Sequence, residues 1–176
     1  MKIDVLRPLG LRLGIMFAAF VAVAGCSRNS EDQAPKTVYD YFTIKIGDKA
    51  VRLQFAVHPV EQQQGLMQRR DLGTNDGMIF VYEKPQSMSY WMRNTPTPLD
   101  IGFFDAEGTL LEIYPLLPFD ETPVKSRTDR LKFAVEMNQG WFRDNGVRPG
   151  AKLDIPAVAE AMKARGFKPT DYGFRP

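Results

Sequence analysis

Residues 77–104 read GMIFVYEKPQSMSYWMRNTPTPLDIGFF, and the fold turns on how this stretch divides. Met78 to Tyr82 is a short apolar run, closed by Glu83-Lys84-Pro85. Met88, Tyr90 and Met92 then alternate with Ser89 and Trp91, the period of a strand with large side chains on both faces. The polar knot Arg93-Asn94-Thr95 ends that run. Pro96 and Pro98 hold the residues before them in extended geometry, so the knot is a stiff corner. Leu99 to Phe104 is the third strand-like run.

Towards the N-terminus, Tyr39–Ile46 and Lys49–His58 both alternate, with the turn signal Gly47-Asp48 between them. They predict an antiparallel hairpin with Val51, Leu53, Phe55 and Val57 facing the core. Arg52, Gln54 and His58 fall on the opposite side. Pro59 suits the first turn of a helix running to about Met67, because its missing N–H would be unpaired there anyway. Residues 71–77 are turn-rich.

Towards the C-terminus, Asp105-Ala106-Glu107-Gly108 is a tight turn, and Thr109–Tyr114 returns as the partner of Leu99–Phe104. Pro115–Arg130 holds three prolines and six charged residues and predicts an exposed loop, with room for a short strand. Leu131, Phe133, Val135 and Met137 alternate with Lys132, Ala134 and Glu136, placing the second set on the outer face. Gly140–Asn145 suits one helical turn, Lys152–Ile155 a last strand, and Ala157–Arg165 a surface helix ended by Gly166. These elements predict a mostly β domain: a compact antiparallel β-sandwich or partly open barrel with two or three short helices.

Lys2, Arg7 and Arg12 precede an apolar run of eleven residues, Leu13–Val23. That is shorter than the roughly 20 residues of a bilayer span and suits an export signal. Val23-Ala24-Gly25-Cys26 resembles the lipobox of bacterial lipoproteins, which implies removal of residues 1–25 and acylation of Cys26. An ordinary signal peptide and an uncleaved anchor are the alternatives. Ser27 after Cys26, rather than Asp, implies sorting to the outer membrane, facing the periplasm. Residues 26–37 then form a polar tether.

The whole chain carries a formal charge of +2, but residues 1–25 contain three cations and one acid, so the remainder is neutral. Phosphate attraction of the kind that holds nucleic acid has no support in this balance. Cys26 is the single cysteine, which leaves no intrachain disulfide and no cysteine cluster for zinc.

Gly65-Leu66-Met67-Gln68-Arg69, Gly77-Met78-Ile79-Phe80-Val81, Trp91-Met92-Arg93-Asn94-Thr95 and Pro98-Leu99-Asp100-Ile101 together resemble the uncharacterised DUF192 family, as do Ala134-Val135-Glu136 with Gly140 and Gly146 with Gly150. The resemblance spans about 38–155 and leaves 156–176 as a C-terminal extension. It implies a compact β-rich fold behind an export signal and no particular reaction. The family's usual Lys before Asn-Thr is Arg93 here, which keeps the charge and changes its geometry.

Arg93, Asn94 and Asp100 form the leading polar group, with Arg69 and Glu136 as further ligand-binding candidates. A guanidinium can grip a carboxylate or phosphate through two parallel hydrogen bonds. Against this, an Arg–Asp pair can simply pin a loop, and Arg69 can be an ordinary helix-end charge. Asp100 and Glu136 would make a glycosidase pair only at a separation of about 5–9.5 Å. His58, the one histidine, is a lone general-base candidate. Met67, Met78, Met88 and Met92 raise Cu(I), although Met88 and Met92 stand roughly 13 Å apart on an extended strand. No metal or cofactor is expected. Three readings follow: an envelope-anchored accessory or binding domain for a small anionic or polar ligand, a hydrolase of envelope material, or an assembly protein acting through protein contacts.

Overall fold

The computed structural model describes residues 35–175. The expected signal, Cys26 and most of the tether lie outside them. No described helix is long and apolar enough to cross a membrane.

Eight strands and three short helices form in chain order: β1 (Phe42–Ile46), β2 (Lys49–Ala56), α1 (Pro59–Gln64), β3 (Asp76–Gln86), β4 (Ser89–Tyr90), β5 (Leu99–Asp105), β6 (Leu110–Leu116), β7 (Val124–Lys125), β8 (Leu131–Asn138), α2 (Trp141–Asp144) and α3 (Ile155–Ala164), before a 3-10 turn at Pro169–Tyr172. Six strands make one sheet in the order β1-β2-β3-β8-β5-β6, and β4 pairs with β7 in a small second sheet. The fold is mostly β, with a mixed sheet.

Both hairpins read from the sequence are present, β1–β2 with Ile44 opposite Val51 and β5–β6 with Ile101 opposite Tyr114. One pairing departs from the antiparallel expectation: β2 and β3 run parallel, Phe55 opposite Ile79. A parallel pair needs a crossover of a dozen or more residues, usually helical, and residues 57–75 with α1 supply it. The run at 88–92 shrinks to two paired residues, because its partner within the loop after Pro115 is itself two residues long. The last predicted strand is reduced to bridges from Leu153 to Ile46 and from Lys152 to Thr109.

The large sheet is packed on both faces. Ile79, Val81, Phe133, Val135 and Met137 join one core, covered by Val158, Ala161 and Met162 of α3. Met78, Phe80, Leu99, Ile101 and Phe103 join a second core, covered by Leu66, Met88, Tyr90 and Met92. Two expectations change as a result. The helix after Pro156 is part of the core rather than a surface appendage, with Val158 and Met162 fully buried. Lys132, Ala134 and Glu136 are not on a solvent face, because β8 lies between β3 and β5 and is buried on both sides. Gly102 is needed here: a Cβ would stand 2.8 Å from the Phe142 ring. Gly77 similarly lets β3 close on β8, since its Cβ would meet Met137 Sδ at 2.5 Å.

Candidate functional site

Helix α1 sits above the second core without burying any residue of its own. The Glu61 carboxylate fixes its start by accepting the Val57 and His58 N–H groups at 2.9 and 3.0 Å. Gln62 ties it to the sheet by donating to the Val81 carbonyl at 3.0 Å. Gly65 ends it at φ +47°, and the turn sends Leu66 into the core. The helix is thereby held as a roof with space beneath it.

That space is a groove of about 310 Å³ between α1, β3, β4 and β8. Gln62, Gln63 and Gln64 form one wall and Phe80, Tyr82, Tyr90 and Trp91 contribute aromatic surface. Among the described residues Glu136 is the one acidic residue lining it, and no Lys, Arg or His does so. Glu136 is 5% exposed, and its carboxyl has no hydrogen-bond partner among the described residues. Burial alone pushes its pKa up to about 8, so at neutral pH the empty groove ends in a protonated acid. The Tyr82 and Tyr90 hydroxyls lie 2.9 Å apart, and burial raises both phenols above their ordinary range.

A second hollow of about 240 Å³ adjoins the first and shares Gln63, Gln64, Met67 and Trp91 with it. Arg93 and Asn94 line this outer part. Backbone bonds fix their corner: Gln68 N–H donates to the Asn94 carbonyl at 2.8 Å, Thr95 N–H to Met92 at 3.0 Å, and Met92 N–H to Asp120 at 2.7 Å. Asn94 adopts φ +54°, a conformation Asn tolerates better than most residues. The Arg93 guanidinium is exposed, lies 5.9 Å from the Trp91 ring centroid, and has no ion pair among the described residues.

The other two candidates are elsewhere. Arg69 lines a separate hollow of about 310 Å³ with Gln54, Val60 and Met78, and its guanidinium donates to Asp71, Gln54 and Tyr41 at 2.9, 3.1 and 3.1 Å. Asp100 does not meet Arg93. Its carboxylate accepts the Gly140 N–H at 2.7 Å, and burial raises its pKa despite that bond. Asp100 pairs with Met137 and Ile101 with Glu136, so Asp100 and Glu136 stand on opposite faces of the sheet and form no carboxylate pair. His58 stacks on Phe167 at 4.8 Å, outside the groove. Met78, Met88 and Met92 are packed in the second core. Among the described residues no group of three or more His, Cys, Asp or Glu is placed to hold a metal.

Tyr82, Tyr90 and the three consecutive glutamines were not singled out by the sequence reading. The run Gln62-Gln63-Gln64 was the available signal, since a short helix whose last turn is all polar buries no apolar stripe of its own there.

DUF192, described as an uncharacterised ACR, matches residues 42–155, more than half of the chain. The chain belongs to the DUF192 family. A protein of unknown function from Novosphingobium aromaticivorans DSM 12444 superposes with a TM-score of 0.62 at 32% identity, covering 70% of this chain and 94% of its own. A Sinorhizobium meliloti 1021 protein, provisionally named a transcription regulator, superposes with a TM-score of 0.63 at 29% identity, covering 67% of this chain and 95% of its own. No curated protein matches. The family match stops at Ile155, so α3 and its contacts lie beyond it.

Proposed function

We propose that this DUF192 domain is an envelope-anchored binding domain that takes a small polar ligand bearing an anionic group. The groove beneath α1 receives the body of the ligand, and Arg93 at its mouth receives the anion. The observation that carries this reading is Arg93 itself: a guanidinium held out on a backbone-bonded corner, beside an open hollow, with no carboxylate among the described residues to neutralise it. Asn94 alongside supplies one donor and one acceptor. The envelope placement rests on the basic leader, the short apolar run and Cys26.

Titrating the isotope-labelled full chain with acetate and inorganic phosphate tests the anion site. The expected result is saturable shifts at Trp91, Arg93 and Asn94, weakened about tenfold or more in Arg93→Met, the range for loss of a hydrogen bond to a charged group. Shifts that ignore these residues, or that persist unchanged in Arg93→Met, contradict it.

A second reading, protein contact, is favoured by the loop after β6. Leu117 and Phe119 are 58% and 59% exposed, and Phe119 holds φ +61°, a strained conformation for a bulky side chain. Photocrosslinking from position 119 in intact envelopes would give a discrete adduct on this reading and none otherwise.

A further inference from the structure

The inner end of the groove specifies more than polarity. Glu136 lies on the middle strands of the sheet, more than nine-tenths buried, with its carboxyl unpartnered and facing the hollow. Every neighbour that lines the hollow is neutral. The titratable groups that face Glu136 are Tyr82 of β3 and Tyr90 of β4, while α1 and β5 contribute none to the lining. A buried carboxylate is stable only with a cation or a set of donors against it. Among the described residues none supplies a cation here, so the carboxyl ionises at neutral pH only when a ligand brings one.

The walls suit such a charge. Phe80, Tyr82, Tyr90 and Trp91 line the same hollow as the carboxyl, and aromatic surface beside an acid is the usual setting for an organic ammonium. Gln62 uses its amide N–H groups on the Val57 and Val81 carbonyls, which leaves its side-chain oxygen as an acceptor. Gln63 and Gln64 make no side-chain hydrogen bond to the described residues, and their oxygens can accept N–H donors as well.

Building on the anion site proposed at Arg93, we infer that the ligand is a zwitterion: an organic ammonium at Glu136 among the aromatic side chains, and a carboxylate or other anion at Arg93. Entry of the ammonium converts the inner acid to its carboxylate. The proton leaves Glu136 for the solvent, and the ion pair forms with no other bond made or broken. Binding at neutral pH is therefore coupled to release of up to one proton, because Glu136 in the empty groove holds its proton up to about pH 8. A neutral hydroxylated ligand would instead accept or donate hydrogen bonds with the protonated acid, and would release none.

Calorimetric titration of the full chain with linear ω-amino carboxylates of increasing length, against ω-hydroxy carboxylates of the same lengths, tests this. Each titration is run at neutral pH in two buffers of different ionisation enthalpy, which reads the protons released. The expected result is a preferred length among the amino acids, binding at least about tenfold tighter than the matched hydroxy acid, with proton release that disappears in Glu136→Gln. Equal binding of the two series with no proton release overturns the ammonium inference and leaves the anion site standing, provided Arg93→Met weakens both. No binding of either series to the wild type overturns both readings. Should Glu136→Gln not fold, the carbon-13 resonance of the Glu136 carboxyl in the wild type decides: it moves to the ionised position on saturation, or the inference fails.

Discussion

Folding buries the Glu136 carboxyl to 5% exposure with no hydrogen-bond partner among the described residues, and the consequence for stability has a definite sign. Its pKa is 4.5 in an unfolded chain and about 8 in the folded domain. Below pH 4.5 both states hold the proton and Glu136 adds no pH dependence. Between 4.5 and 8 the unfolded chain has lost its proton while the folded domain keeps it, so stability falls as pH rises. Above about 8 both are ionised and the loss is complete, on the order of 5 kcal/mol from a shift of this size. Glu136→Gln removes that slope. Urea unfolding from pH 5 to 9 should show the variant gaining on the wild type by several kcal/mol towards the alkaline end, with under about 1 kcal/mol of that gain present at pH 5. Equal stability at every pH would show that the carboxyl has partners. At this scale the sequence was informative about Arg93, whose run into Pro96 and Pro98 marks a stiff exposed corner. It named Glu136 too, but on the outer face, because alternation along one strand cannot reveal that a neighbour covers its second side.

Among the elements, each β5 residue takes its role from the face it occupies. Asp100 shares its face with Met137, and its carboxylate holds the Gly140 N–H at the start of α2. Asp100→Ala leaves that N–H without its acceptor and is expected to cost about 1–3 kcal/mol, the range for an unsatisfied buried donor. It should leave probe binding in the groove unchanged, since the groove opens on the other face. Thermal unfolding beside a binding titration checks both halves, and a binding defect with unaltered stability would tie Asp100 to the ligand after all. The strands themselves were legible from period and turn residues: β1–β2 and β5–β6 are local pairings with Gly47-Asp48 and Asp105–Gly108 between them. The β2–β3 pairing was not legible. Parallel geometry depends on where a crossover returns the chain, and no pattern within either strand encodes that. It is nevertheless this crossover that carries α1 over the sheet and makes the groove's roof.

Across the whole described domain, the chain beyond the family match reaches back to that roof. Arg165, just past α3, donates to the Phe55 carbonyl and pairs with Glu61, and both side chains are largely buried. Burial would raise Glu61, but the Val57 and His58 N–H groups and Arg165 outweigh it and hold the carboxyl low. The same carboxylate starts α1, so a residue outside the DUF192 match braces the helix above the groove. Arg165→Met strands a partly buried carboxylate and is expected to cost about 3–5 kcal/mol, as for a broken buried pair. Chemical denaturation measures that loss, and a change under 1 kcal/mol would mean α3 is only laid against the sheet. Near the other end of the described chain, Lys36 N–H bonds the Ala164 carbonyl at 2.8 Å, so α3 also holds the segment that leads into β1. A helix read from sequence as a surface helix is in this way part of the core, and the residue that follows it braces α1.

An unpartnered acid lining an open groove underlies both the proposed ligand and the pH dependence of stability. Carbon-13 titration of the Glu136 side-chain carboxyl in the ligand-free full chain measures it directly. A midpoint near 8 is the predicted result. A midpoint near 4.5, the value of a solvated or well-partnered carboxyl, would contradict it.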